Sequence, residues 1–227
     1  MPPKLTALLL GLTIGVELPI CAFLKELHAS GASWGFEAVA SLLTWFLNPI
    51  YILSGLAHIA RSYYVTAFEI SLLGGWVRVA LARVTALLTY MLPYIGIQVT
   101  ALGLVLGVWS LLPYALASVL VYAGLALTIS LAGSKVLTIA TSALTLFTAP
   151  LSASLIMMNY SMLGASLGPA LSTLTYVLNP LATYAEHLIH PKLINASPTE
   201  GLVAGITTAI ILYIAYIVIF KRLNIKI

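Results

Sequence analysis

The chain has 227 residues, 61% of them hydrophobic and 7% charged, and a formal net charge of +4. Soluble domains carry about 25% charged residues, and runs this apolar would leave large patches bare in water. A soluble enzyme and a nucleic-acid-binding protein are therefore excluded, and the basic excess reads as orientation in a membrane. Ten Lys and Arg stand against six Glu and no Asp, and the single cysteine, Cys21, excludes an intrachain disulfide and a cysteine-based metal cluster.

A bilayer-crossing helix needs about 20 predominantly apolar residues. Six such runs account for nearly all of residues 1–227, which read as one all-α, polytopic transmembrane domain. The first, 5–24, resembles a signal peptide in hydrophobicity, but it carries Glu17 and Pro19 and has no small-residue cleavage site directly after it. It reads as a retained span ending at Lys25-Glu26-Leu27-His28. The second is 34–60, ending at Arg61. A less hydrophobic segment, 61–85, follows. The third span is 86–108 and the fourth 110–133, with a short turn near 109–113 between them. Ser134-Lys135 separates the fourth from the fifth, 136–158. After a long segment, 159–201, the sixth span is 202–220, and a basic tail of Lys221, Arg222 and Lys226 follows.

Placing the N-terminus in the cytoplasm puts Lys4, Arg61, Arg78, Arg83, Lys135, Lys221, Arg222 and Lys226 inside, and Lys25 and Lys192 outside. Excess Lys and Arg mark the cytoplasmic side, so a multi-pass cell-membrane protein with both termini cytoplasmic is expected. The segment 61–85 then lies inside and 159–201 outside. The outer segment reads as short apolar helices dipping into the outer leaflet. Leu167, Leu171, Leu174 and Val177 recur at a helical period across 165–177.

Chemistry is sparse. With no Asp and no Gly-Lys dipeptide the chain has no P-loop, so ATP-driven work would need another subunit. Haem needs paired axial ligands inside spans, and of His28, His58, His187 and His190 only His58 lies near one. Glu186, His187 and His190 have a spacing that suits either a metal on a helix or a solvated amphipathic helix. Asn195-Ala196-Ser197 is a glycosylation sequon on the expected outer side. Glu17 is the one acid well inside a span. It either lines a polar pathway, pairs with an Arg or Tyr from a neighbouring helix, or is hydrogen-bonded to Thr13 or to a carbonyl freed by Pro19. Tyr90, Tyr94, Gln98 and Thr100 on the third span are candidate lining residues, or else polar groups that pack helices together.

In the inner segment, Phe68, Leu72 and Leu73 are spaced for one apolar helix face and Glu69 for a polar one, and Gly74-Gly75 breaks the helix before Arg78 and Arg83. Physically this is an amphipathic helix in the inner interface with a basic anchor. It is either a connector with snorkelling arginines or a docking element.

That segment resembles the coupling region of type II, export-type ABC transporter permeases. There an intracellular helix begins with a Glu, runs through a Leu-Leu pair and a small-residue turn, and meets an Arg, matched here by Glu69, Leu72-Leu73, Gly74-Gly75 and Arg78. A second similarity is the run Asn179-Pro180-Leu181-Ala182-Thr183-Tyr184-Ala185-Glu186 before the last span. Ile70-Ser71 stands where the family often has Gly-Thr, and the turn lacks the family's Pro. The resemblance implies a non-catalytic permease subunit that pairs with a second permease subunit, identical or related. It would dock an ATP-binding subunit through Phe68, Glu69, Leu72, Leu73 and Arg78. ATP and magnesium would bind that partner, and no cofactor is expected in this chain. Two rivals remain: a structural membrane subunit of a respiratory or secretion complex, and a secondary transporter using Glu17.

Overall fold

A computed structural model describes residues 3–29, 35–59, 63–132 and 135–222. Arg61, Ser134 and Lys226 lie outside the described residues, so their expected placement is not addressed by it. Among the described residues, ten α-helices run in the order α1 (Pro3–Ala29), α2 (Gly35–Leu42), α3 (Asn48–Ile59), α4 (Tyr63–Leu73), α5 (Trp76–Gln98), α6 (Leu112–Ile129), α7 (Lys135–Met162), α8 (Pro169–Leu178), α9 (Pro180–Ile189) and α10 (Pro198–Arg222). No strand occurs among the described residues; Leu167 and Ile194 form a single isolated bridge.

Among the described residues, six helical stretches are long and apolar enough to cross a bilayer: Ala7–Glu26, Ala38–Ala57, Trp76–Val105, Trp109–Ile129, Val136–Met162 and Pro198–Arg222. The chain is thus an all-α, multi-pass membrane protein by helix length and composition. Two spans contain π-helical turns. Leu43–Leu47 joins α2 to α3, and Val99–Val105 continues α5.

Several boundaries differ from the sequence expectation, the fifth span running on to Met162 and the sixth beginning at Pro198. The third span begins at Trp76, ten residues before the expected position, because both arginines that lower its hydropathy find partners. Arg78 Nη1 donates to Leu73 O at 3.2 Å, and Arg83 pairs with Glu69. Among the described residues, the segment between the second and third spans is α4 and a two-glycine turn. Gly74 sits at φ 70° and Gly75 at φ 152°, and the Gly75 amide donates to Ile70 O at 3.1 Å to close the helix. The turn before the fourth span lies at Leu106–Val108, where Gly107 has φ 80°. Pro113 falls in the first turn of α6, where a missing N–H costs nothing.

The segment beyond α7 does form short helices, but α8 starts at Pro169 and not at 165. Extended Gly168 and a proline in the first turn set that start. Leu167 is left in the bridge, and α8 buries Ser172, Thr175 and Tyr176 while Leu174 faces out.

α6 forms the hub of the bundle. Its small residues Ala115, Ala117, Ser118, Ala123, Gly124 and Ala126 are buried and let neighbouring backbones approach closely, which is how helices associate where lipid offers no hydrophobic drive. A Cβ on Gly124 would lie 3.0 Å from Leu212 of α10. The Tyr213 hydroxyl donates across to Leu120 O at 3.2 Å.

The two ends of α10 mark the two ends of the molecule. Gly201 meets Tyr176 of α8, and Phe220 lies under Arg83 of α5. Nineteen residues of helix separate them, roughly 28 Å at 1.5 Å per residue. So α4 sits at one end and α8–α9 at the other.

Candidate functional site

Three polar constellations stand out. The first is at the α4 end. Arg83 Nη2 donates to Glu69 Oε2 at 2.7 Å and to Thr66 Oγ1 at 2.8 Å. Its guanidinium lies 5.4 Å from the Phe220 ring centroid, and Lys221 Nζ lies 5.4 Å from the Trp76 ring centroid. Both distances suit cation–π attraction. α4 is thereby tied to α5, and α5 to α10. Glu69 and Thr66 turn inward with Ile70, while Phe68 (65% exposed), Leu72 (71%) and Leu73 (40%) turn away from the bundle. Phe68 and Leu72, one turn apart, share an outward face, Leu73 is exposed at the end of the helix on the far side of Glu69, and Arg78, also exposed, reaches back to the last carbonyl of α4.

The second lies inside the spans, where α1, α3 and α5 meet. Glu17 is fully buried near the middle of its span, and its Oε2 accepts from Gln98 Nε2 at 3.1 Å. One turn before Gln98, the Tyr94 hydroxyl donates to Asn48 Oδ1 at 2.6 Å. The Tyr94 ring stacks on Tyr51 with centroids 4.3 Å apart, and the Tyr51 hydroxyl is hydrogen-bonded with Thr13 at 2.9 Å. One turn earlier again, Tyr90 and Ser54 hydroxyls are 2.9 Å apart.

Tyr90, Tyr94 and Gln98 therefore form a ladder of contacts from α5, with Tyr90 and Tyr94 reaching α3 and Gln98 reaching α1. Thr100, beyond them, donates to Gly96 O of its own helix at 3.0 Å. Thr13 is not the partner of Glu17: its hydroxyl serves Leu9 O, at 2.8 Å, and Tyr51. Sequence reasoning did not assign Asn48 and Tyr51 to this cluster. A signal was present in Asn48-Pro49, a polar residue and a helix breaker in the middle of an apolar run.

The third constellation shapes the α8–α9 end. Asn179 caps α9, its Oδ1 accepting from the Ala182 amide at 3.2 Å, and Pro180 fills the first turn. Tyr184 stacks on Tyr114 of α6 with centroids 3.8 Å apart and an interplanar angle of 8°. Ser118 of α6 accepts from the Leu181 amide at 3.1 Å, and the Tyr122 hydroxyl donates to Leu178 O at 2.9 Å. A Cβ on Gly201 would come within 2.4 Å of the buried Tyr176 ring, so this crossing needs glycine.

The Asn179-to-Glu186 run is thus a capped helix held against α6. Glu186 and His190 border a cleft of about 400 Å³ between α2, α7 and α9, shared with Ser41, Met157 and Met158. α9 stops at Ile189, so His187 lies on the helix and His190 beyond its end. No three His, Cys, Asp or Glu among the described residues gather as a metal set. Asn195 is exposed, and its amide side chain lies 3.4 Å from Ser166 Oγ.

No protein-family model, no curated protein and no solved structure matches this chain.

Proposed function

We propose that this chain is the membrane-spanning permease subunit of an ATP-driven transporter, an exporter in its layout, working as a pair with a second permease subunit. α4 is the element that docks a separate ATP-hydrolysing subunit in the cytoplasm, with both termini of this chain on the same side. ATP and magnesium act on the partner, and this chain performs no catalysis.

One observation carries the reading: a short helix braced on its inner face and bare and apolar on its outer face. Glu69 and Thr66 are held by Arg83, while Phe68, Leu72 and Leu73 project outward. A helix can pass force from a moving partner to the spans only if it is rigidly joined to them. The contacts from Arg83 to Phe220 and from Trp76 to Lys221 extend that joint to the last span. The helix pair α8–α9 before the last span, at the opposite end, agrees with the same layout and would close the far mouth of a path between two permeases.

The test is affinity purification of the detergent-solubilised chain from its native membrane, with its partners identified by mass spectrometry. A stoichiometric P-loop ATPase, lost from a Phe68→Glu/Leu72→Glu variant that still purifies as a folded protein, supports the proposal. A haem protein or a secretion subunit in its place, with no ATPase, overturns it and leaves a structural membrane subunit as the better account.

A further inference from the structure

Two of the three helices at the Glu17 site carry π-helical turns beside it. Gln98 is the last residue before one π-helical segment, Val99–Val105, and Asn48 is the first after the other, Leu43–Leu47. π-helical turns frequently mark functional positions in otherwise regular helices. Pro19, Pro49 and Pro93 lie within two residues of Glu17, Asn48 and Tyr94 respectively, one on each helix of the site. Two of the three spans thus depart from regular α-helix near one carboxyl, and the third carries a proline within it.

The hydrogen bonds at that carboxyl are incomplete in a particular way. Glu17 Oε2 receives the Gln98 amide, yet Glu17 Oε1 and Gln98 Oε1 are both buried with no partner. Both are acceptors, so neither can satisfy the other as they stand. No Lys, Arg or His is paired with Glu17 among the described residues. Its titratable neighbours are Cys21 on its own helix, Tyr51 from α3 and Tyr94 from α5. Each of these three is neutral in its protonated form and supplies no positive charge. A bare carboxylate in hydrocarbon is expensive, and a buried acceptor without a donor costs its full desolvation penalty. One added proton removes both costs, because a carboxylic acid and a primary amide pair through two hydrogen bonds in a ring.

We propose that Glu17 and Gln98 form a proton-binding site inside the membrane: Glu17 Oε1 carries a proton and donates it to Gln98 Oε1, latching the first span to the third. The step is Glu17 carboxylate plus a proton giving the neutral acid, with no bond to carbon changed. Release of the proton leaves a carboxylate that only water can satisfy, and α1 parts from α5 to admit it. This does not depend on the transporter reading.

Cys21, buried and one helical turn beyond Glu17, is a built-in reporter of that parting. The experiment uses the full chain reconstituted in phosphatidylcholine bilayers, with infrared spectra recorded across a pH titration in H2O and D2O. A protonated-carboxyl C=O band is expected at neutral pH. It should shift on deuteration, vanish in Glu17→Gln, move in Gln98→Met and persist in Glu69→Gln. Labelling of Cys21 by N-ethylmaleimide should begin as that band titrates away in the native chain. It should lag well behind in Glu17→Gln, which corrects for the thiol's own ionisation. If Glu17→Gln does not fold, the native titration and the Gln98→Met shift carry the test. Absence of the band at neutral pH, or its survival in Glu17→Gln, overturns the proposal. So does its loss on adding sodium or potassium at fixed pH, which would make the pair a metal-cation site. Cys21 remaining unlabelled after the band has gone overturns the latch.

Discussion

Two glutamates reach α5 from different helices and meet opposite surroundings. Glu69, half-buried at one end of the third span, faces the guanidinium of Arg83 at 2.7 Å. Glu17, fully buried within the bundle, faces the amide of Gln98 at 3.1 Å and no cationic side chain among the described residues. At the bundle's end water and lipid headgroups can share the cost of a charge, so a long cationic side chain can reach the interface and pair there. In the middle of a span neither is available, and a neutral amide offers one donor and one acceptor. The same residue type thus anchors a helix electrostatically in one place and poses a protonation problem in the other.

The comparison can be broken from either side. Replacing Arg83 with Leu removes the partner of Glu69, the bond to Thr66 and the contact over Phe220 together. We expect roughly 3 kcal/mol of lost stability, the low end for breaking a buried pair because Glu69 is half-exposed. Unfolding in mixed detergent would measure it, and hydrogen exchange should rise across 63–73. A Glu69→Leu/Arg83→Leu double variant should recover part of the loss, because no charge is then left behind.

Gln98→Leu strips the carboxyl of Glu17 of its polar partner and should cost about 2 kcal/mol by the same measurement, with no change in exchange across 63–73. Tyr94→Phe removes one bond, that to Asn48, and should cost about 1 kcal/mol, in the range of single interhelical bonds in membranes. Glu69→Gln keeps a hydrogen-bond acceptor for Arg83 and should cost about 0.5 kcal/mol, diminishing further at high salt. If Gln98→Leu proves milder than Glu69→Gln, the contrast between the two sites is wrong.

Much of the architecture was legible because a bilayer demands long apolar runs, and six of them occur. Gly74-Gly75 was legible as a helix end because two glycines in succession permit positive φ and favour little else. The start of the third span was not, since Arg78 and Arg83 depress hydropathy whether they lie in a loop or at a helix head; only their partners, Leu73 O and Glu69, distinguish the two. Glu17 drew notice as an acid inside a span. Its partnership with Gln98 was not readable, because 81 residues and the relative rotation of two helices intervene, and periodicity within one helix says nothing about rotation against another. Asn48 and Tyr51 stayed hidden for the same reason, compounded by π-helical turns that shift the facing of every residue after them.

The close fit of Gly201 to Tyr176 has a consequence for how the protein is made. Chains emerge from the ribosome in sequence order, so α8 and α9 appear while α10 is still being synthesised. Until α10 arrives, the ring of Tyr176 lacks the backbone of Gly201 that it rests on, and Gly124 of α6 lacks Leu212 against it. The sixth span is therefore the last to insert, and it completes packing around α6 and α8 that the earlier helices have begun.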